Sequence, residues 1–421
     1  MEKKFTRLRY ACYTSNLTMS VVANISPILF ITFHSLYAIS YSLLGLLVLI
    51  NFVTQLGIDL IFSFFSHKFN IPRVVKLIPA IAVLGLLIYA LVPFVFPSAV
   101  YLGLVIGTVI FSAASGLAEV LISPVIAALP SENPERDMSK LHSVYAWGVV
   151  GVIVFGTLFL LAFGGKNWQY LALLLALVPL VSCILYAGAD VPQMQTPKRA
   201  SGALAMLKNG GIWLCVLAIF LGGASECTMA QWASGYIEQA LGIPKVWGDI
   251  FGVALFGAAL GLGRSLYAKF GKDVGKVLFF GAIGATVCYV TAAVTSVPVL
   301  GLIACALTGF CVSMLWPGNL VVASERYPAG GVFIYAMMAA GGDLGASVGP
   351  QLIGLITDGV SASGYFAEVA LSFGITAEQL GMKMGMLVGA LFPLAAIFVY
   401  WIIWRGEKKR VKLLTKSENL L

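Results

Sequence analysis

The sequence predicts an all-α membrane protein of twelve transmembrane helices in two six-helix halves, and two observations carry this reading. Of 421 residues, 60% are hydrophobic and 10% charged, at a mean hydropathy of +0.95. A soluble core could not hide that much apolar surface, whereas a polytopic chain exposes it to lipid. The apolar residues are also gathered into bilayer-length runs, near 8–34, 37–65, 74–96, 99–129, 139–163, 168–188, 211–240, 246–270, 275–296, 298–323, 331–360 and 380–404.

The polar connection 191–210, with Pro192, Pro197, Lys198, Arg199 and Lys208, separates an N-terminal bundle (1–190) from a C-terminal one (211–421) that ends in a basic tail. The halves echo one another, as in transporters built from internal repeats. Leu56-Gly57 ahead of His67-Lys68-Phe69 recurs as Leu260-Gly261 ahead of Ala268-Lys269-Phe270, and Pro124 stands 24 residues before Gly148 as Pro317 does before Gly341. Of the 26 Lys and Arg, all but Lys166, Lys245 and Lys383 fall on one side of the alternation, which places both termini in the cytoplasm. The net charge of +8 therefore reflects topology, and nucleic acid is not an expected partner. The first apolar run follows Lys3, Lys4, Arg7 and Arg9 but is too long for a cleaved leader, so it is read as a retained span. The seven cysteines lack metal-ligand spacing and read as small buried hydrophobes. No nucleophile–base pair or metal cluster is visible, so an enzyme is not expected, nor any cofactor beyond a coupling ion, a proton or sodium.

Helical projection gathers polar groups on single faces. The first span carries Asn16, Ser20 and Asn24 beside Pro27; the second carries Asn51, Gln55, Asp59 and Ser66; the fourth carries Thr108, Ser112, Ser115, Glu119 and Ser123. Such hydroxyls and amides often serve only helix packing. Three stripes that include or flank ionisable groups point instead to a hydrated central cavity, with Glu119 as the chief proton-site candidate and Glu226, Asp343 and Asp59 beside it. In the fifth span His142, Tyr145, Ala146 and Val149 share a face, and Ser347 and Gln351 lie on the side of Asp343. Asp249 and Asp358 lie near the outer ends of their spans and read as solvated.

Aromatic rings with amides and hydroxyls suit a sugar. The substrate-site candidates are accordingly Asn24, Gln55, His142, Tyr145, Trp147, Trp232, Trp316 and Asn319. Lys and Arg are missing from mid-membrane positions, Arg264 being placed near a cytoplasmic end, which disfavours a strongly anionic solute. Gly257 with Gly261, and Gly341, Gly345 and Gly349, have the four-residue spacing of close helix contacts.

This architecture resembles the major facilitator superfamily. Its loop signature is represented by Gly57, Lys68 and Arg73 and by Gly261, Arg264 and Lys269. Within it, Glu119 followed by Pro124, the loop Asn133-Pro134-Glu135-Arg136, Trp316-Pro317, Gly341-Gly342, Gly349-Pro350 and Thr357-Asp358 are similar to the fucose:proton symporter family. The resemblance implies Glu119 as a protonation site and puts His142 where that family has a cavity glutamine. It also implies a first-helix acid, which Val22-Ala23-Asn24 and Ile25-Ser26-Pro27 lack. Coupling then uses Glu119 alone, another acid such as Asp59, Glu226 or Asp343, or a different ion.

The expected protein is a monomeric, multi-pass inner-membrane transporter surrounded by lipid, importing a small polar solute of the sugar class with protons by alternating access. The alternatives are sodium-coupled sugar symport and proton-coupled export of amphipathic compounds.

Overall fold

In lipid, backbone N–H and C=O groups must be satisfied within the segment, so apolar runs of this length become helices. The computed structural model describes residues 2–65, 68–130, 134–192, 208–271, 273–327 and 331–418. The first half comprises α1 (Glu2–Tyr37), α2 (Tyr41–Phe65), α3 (Ile71–Val95), α4 (Val100–Ala127) and α5 (Pro134–Phe163), then α6 (Trp168–Leu175) and α7 (Leu177–Ala187) in line. The second half begins with α8 (Gly210–Gln239). A stretch from Lys245 is π-wound over Gly248–Ala254 before α9 (Leu255–Phe270). There follow α10 (Val274–Val294), α11 (Pro298–Val312), α12 (Pro317–Arg326), α13 (Gly331–Ser361), α14 (Gly364–Ser372), α15 (Ala377–Gly389) and α16 (Leu391–Glu418).

These elements fall on the expected runs, except α14, a short helix between the last two of them that the sequence reading did not include. Among the described residues, ten helical stretches are long and apolar enough to cross a membrane, and Trp147–Phe163 within α5 adds a shorter apolar segment. The 31 residues of α13 extend about 46 Å, enough to cross despite Asp343 and Asp358. Three runs expected as single helices are instead broken, at Ala176, at 313–316 and at Ala390. Each break precedes a proline (Pro179, Pro317, Pro393), which removes an i→i−4 bond and crowds the preceding turn. The linker expected at 191–210 falls mostly outside the described residues.

Helix α13 packs along both α2 of the first half and α8 of the second, and α5 lies against α1 while reaching the π-wound stretch. These contacts join the halves around a central space. Of the two expected glycine stripes, the one on α13 makes the close approach. A Cβ at Gly345 would strike the Phe220 and Ala224 backbone of α8, and one at Gly354 the Tyr41 carbonyl of α2. Gly257 meets α5 only at ordinary contact distance, and a Cβ at Gly261 would meet nothing within 4 Å.

Hydrogen bonds between the halves gather toward the end of the bundle away from the chain termini. Asp358 of α13 accepts from the backbone N–H groups of Tyr41 (3.1 Å) and Ser42 (2.6 Å), satisfying donors that the first turn of α2 leaves open. The Tyr41 hydroxyl donates to Glu378 of α15, and His34 Nε2 lies 3.7 Å from the same carboxylate. Thr157 of α5 donates to Asp249 at 2.6 Å; Lys245 Nζ lies 2.9 Å from Asp249, and the Ser234 hydroxyl also donates to it. Asp249 is therefore not solvated as the sequence suggested: it is 1% exposed, with the lysine four residues earlier as its counter-ion. Asp358 likewise caps a helix rather than facing bulk water. Lys245→Met removes a charge-assisted bond to a buried carboxylate and should lower stability by about 2 kcal/mol, measurable as earlier thermal denaturation in detergent.

Candidate functional site

Between the halves lies a cavity of about 310 Å³, the lower end of the range for small-molecule sites. From the first half it is lined by Asn16, Ala23 and Asn24 of α1, Phe52 and Gln55 of α2, Ser115 and Glu119 of α4, and Tyr145, Val149 and Ile153 of α5. The second half adds Glu226, Cys227, Ala230 and Gln231 of α8, Val253, Phe256, Leu260 and Arg264 around the π-wound stretch and α9, Trp316, and Asp343 of α13. Part of each polar stripe of α1, α2 and α4 (Asn16 and Asn24, Gln55, Ser115 and Glu119) thus reaches one space, while Ser20, Asn51, Asp59, Thr108 and Ser112 lie outside its lining.

At one side of this space, three carboxyl groups from three helices meet. Oxygens of Asp59 (α2), Glu119 (α4) and Asp343 (α13) all lie within 4.8 Å of one another, bringing acids from both halves together. Asp59 and Asp343 are each 3% exposed, and among the described residues no hydrogen-bond donor reaches either Asp59 oxygen or Asp343 Oδ2. Glu119 keeps solvent access through the cavity. Two like charges about 4 Å apart repel by about 4 kcal/mol at an effective dielectric of about 20. A proton or cation shared among the three relieves that repulsion.

Across the cavity, Arg264 Nη2 lies 3.3 Å from Glu226 Oε1, and Arg264 Nε donates to the Ser313 carbonyl at 3.0 Å. The sequence placed Arg264 near a helix end, outside the site. Its long side chain instead carries the guanidinium to the cavity wall, where Glu226 neutralises it.

The other candidates separate clearly. Asn24, Gln55, Tyr145 and Trp316 line the cavity. Trp232 is fully buried on α8 outside that lining and donates to the Pro350 carbonyl at 2.8 Å, against Phe30 and Tyr41. Trp232→Phe should therefore cost about 1 kcal/mol by removing that hydrogen bond, read as reduced thermal stability with solute affinity unchanged. Asn319 is buried, donating to the Leu315 carbonyl and the Tyr400 hydroxyl. Trp147 is 75% exposed and outside the cavity lining. His142 lies on α5, but its side chain, like those of Ser66 and Ser123, is outside the described residues.

Sequence reasoning left Gln231, Arg264 and Cys227 out of the site. The i, i+4 pairs Glu226/Ala230 and Cys227/Gln231 on α8 were the available signal. Cys227 is half-buried at the cavity, as are Cys183, Cys288 and Cys311 elsewhere, so only Cys12, Cys215 and Cys305 fit the expected burial.

The profile of the Major Facilitator Superfamily matches residues 11–350. The chain belongs to that superfamily. It is a multi-pass membrane transporter and not an enzyme. Solved structures of other transporters share its fold over nearly the whole length. A bacterial homolog of the human lysosomal transporter Spinster, inward-facing and occupied, has 13% identity and TM-score 0.72, covering 96% of this chain and 97% of that one. The nucleoside transporter NupG has 13% identity and TM-score 0.72 over 94% and 99%. The E. coli fucose:proton symporter has 14% identity and TM-score 0.61 over 95% and 99%. At these identities the likeness is one of fold. No curated protein sequence matches the chain.

Proposed function

We propose that this major facilitator imports a small polar solute of the sugar class together with protons, by alternating access of the central cavity. The observation that carries the reading is the meeting of Asp59, Glu119 and Asp343 at the cavity. A proton there cancels charge exactly where α2 and α13 join the two halves, so its loss pushes them apart by like-charge repulsion. Glu119, open to the cavity, takes up and gives back the proton, while Asp59 and Asp343 carry the charge change to the interface. Glu226 belongs to a second acidic position, held by Arg264. Asn24, Gln55, Tyr145 and Trp316 contact the solute.

The fold shared with a fucose:proton symporter supports this reading. The loop distribution of Lys and Arg supports cytoplasmic termini in an inner membrane. The transporter works as a monomer in lipid, with two six-helix bundles joined by the 191–210 linker.

A sodium-coupled variant has its own support, because three carboxylate oxygens this close also suit a cation. Proteoliposomes tested with a panel of labelled aldoses separate the two. Accumulation driven by an inward proton gradient without sodium is the expected result. Accumulation only with a sodium gradient assigns the cluster to sodium, and no accumulation of any aldose removes the sugar class.

A further inference from the structure

We infer that Arg264 is the positioning residue of the cavity tryptophan: it supplies the hydrogen-bond donor that Pro317 withholds from the break between α11 and α12, and so sets where Trp316 sits. The consequence for transport rests on the reading of Trp316 as a solute contact. The placement itself does not.

In an unbroken helix the Ser313 carbonyl would accept from the N–H four residues further on. That residue is Pro317, which has no N–H and whose ring crowds the same carbonyl. The helix gives way at 313–316, and bonding resumes one step later, where Gly318 donates to the Met314 carbonyl at 2.8 Å. Ser313 is buried, and a buried carbonyl left without a donor costs about 1–3 kcal/mol. Arg264 Nε of α9 fills the place at 3.0 Å. Gly263 beside it lets the two helices come close enough, since a Cβ there would strike the Ser313 side chain. Glu226 of α8 holds the same guanidinium at 3.3 Å. A planar guanidinium presents its donors in fixed directions, so one side chain serves both partners without losing its orientation.

Trp316 closes the break, immediately before α12, and lines the cavity. Its ring lies against the backbone of two other helices: a Cβ at Gly342 of α13 or at Gly223 of α8 would meet it. Gly342 directly precedes Asp343, a member of the carboxyl cluster. Arg264 thus connects the Glu226 position, through one broken helix, to the wall beside Asp343. Loss of its bond frees the turn that carries Trp316 and leaves the ring more than one resting place.

The test labels the full chain in detergent with 5-fluorotryptophan and follows the fluorine line of Trp316, identified as the one of eight that Trp316→Phe removes. Glu226→Gln is the reference protein, so that removing Arg264 strands no carboxylate charge. In that background Arg264→Met is expected to split or broaden the Trp316 line. The line of Trp168, buried in the first half and assigned in the same way, should not change. Pro317→Ala supplies the missing N–H, so adding it to Arg264→Met is expected to return a single narrow Trp316 line. A general loss of packing, or a role of Arg264 in charge alone, gives no such rescue. If Arg264→Met yields no monodisperse protein, return of folded protein on adding Pro317→Ala is the supporting outcome. For an aldose that the protein exchanges, KM should rise about fivefold in Arg264→Met, equivalent to one hydrogen bond, at an unchanged maximal rate. An unchanged Trp316 line or KM in Arg264→Met, or no rescue by Pro317→Ala, overturns the inference. If no aldose is exchanged, the sugar reading falls and the fluorine result alone decides the role of Arg264.

Discussion

Glu119→Gln is expected to exchange labelled solute between equal pools while failing to concentrate it. A gradient of one pH unit stores about 1.4 kcal/mol per proton, so one proton per solute supports about tenfold accumulation in the native protein. In the variant the ratio should fall to one. The reason is local: Gln keeps the size and hydrogen-bonding shape of the side chain but cannot gain or lose a proton. It also leaves Asp59 and Asp343 facing each other across the halves without the third acid. Accumulation at the native level would remove Glu119 from coupling and shift attention to Glu226, the other cavity-lining glutamate.

Gly345→Ala should destabilise the protein by about 3 kcal/mol. The added methyl group would meet the Phe220 carbonyl and the Ala224 nitrogen, main-chain atoms of α8 that cannot move aside like the end of a flexible side chain. Gly261→Ala is the control, because its Cβ would enter open space. There the gain in helix propensity, up to about 1 kcal/mol, should leave stability unchanged or raised. Thermal denaturation and monodispersity in detergent distinguish the two. Equal effects would mean that the α8–α13 contact is looser than described.

The two glycines also show how far the sequence could be read. Gly257/Gly261 and Gly341/Gly345/Gly349 have the same four-residue spacing, but only the second stripe makes a tight contact. Spacing places residues on a face and does not say which helix will cover it. The same limit applies to the charges. The polar stripes of α1, α2 and α4 were legible because their period is that of a helix, and Glu119, Gln55 and Asn24 do reach the cavity. That Asp59 and Asp343 would meet was not legible, because their approach depends on how α2 and α13 pack across the halves. Asp249 looked solvated from its place near a span end, but a lysine one turn earlier and hydroxyls from α5 and α8 enclose it. Arg264 was misplaced because position along a helix locates the Cα, whereas a long side chain delivers its charge well away from it. Trp147 and Trp232 show the converse: both sit within apolar runs, yet one faces outward and the other is buried against Pro350.

The central claim is that a proton held by the Asp59–Glu119–Asp343 cluster travels with the solute. The most direct measurement is the external pH of a lightly buffered proteoliposome suspension, with no imposed gradient, after addition of an aldose that the protein binds. Solute entry should turn the medium alkaline in the native protein, and the response should vanish in Glu119→Gln. Solute entry with no pH change in the native protein, or an undiminished change in Glu119→Gln, would contradict the account.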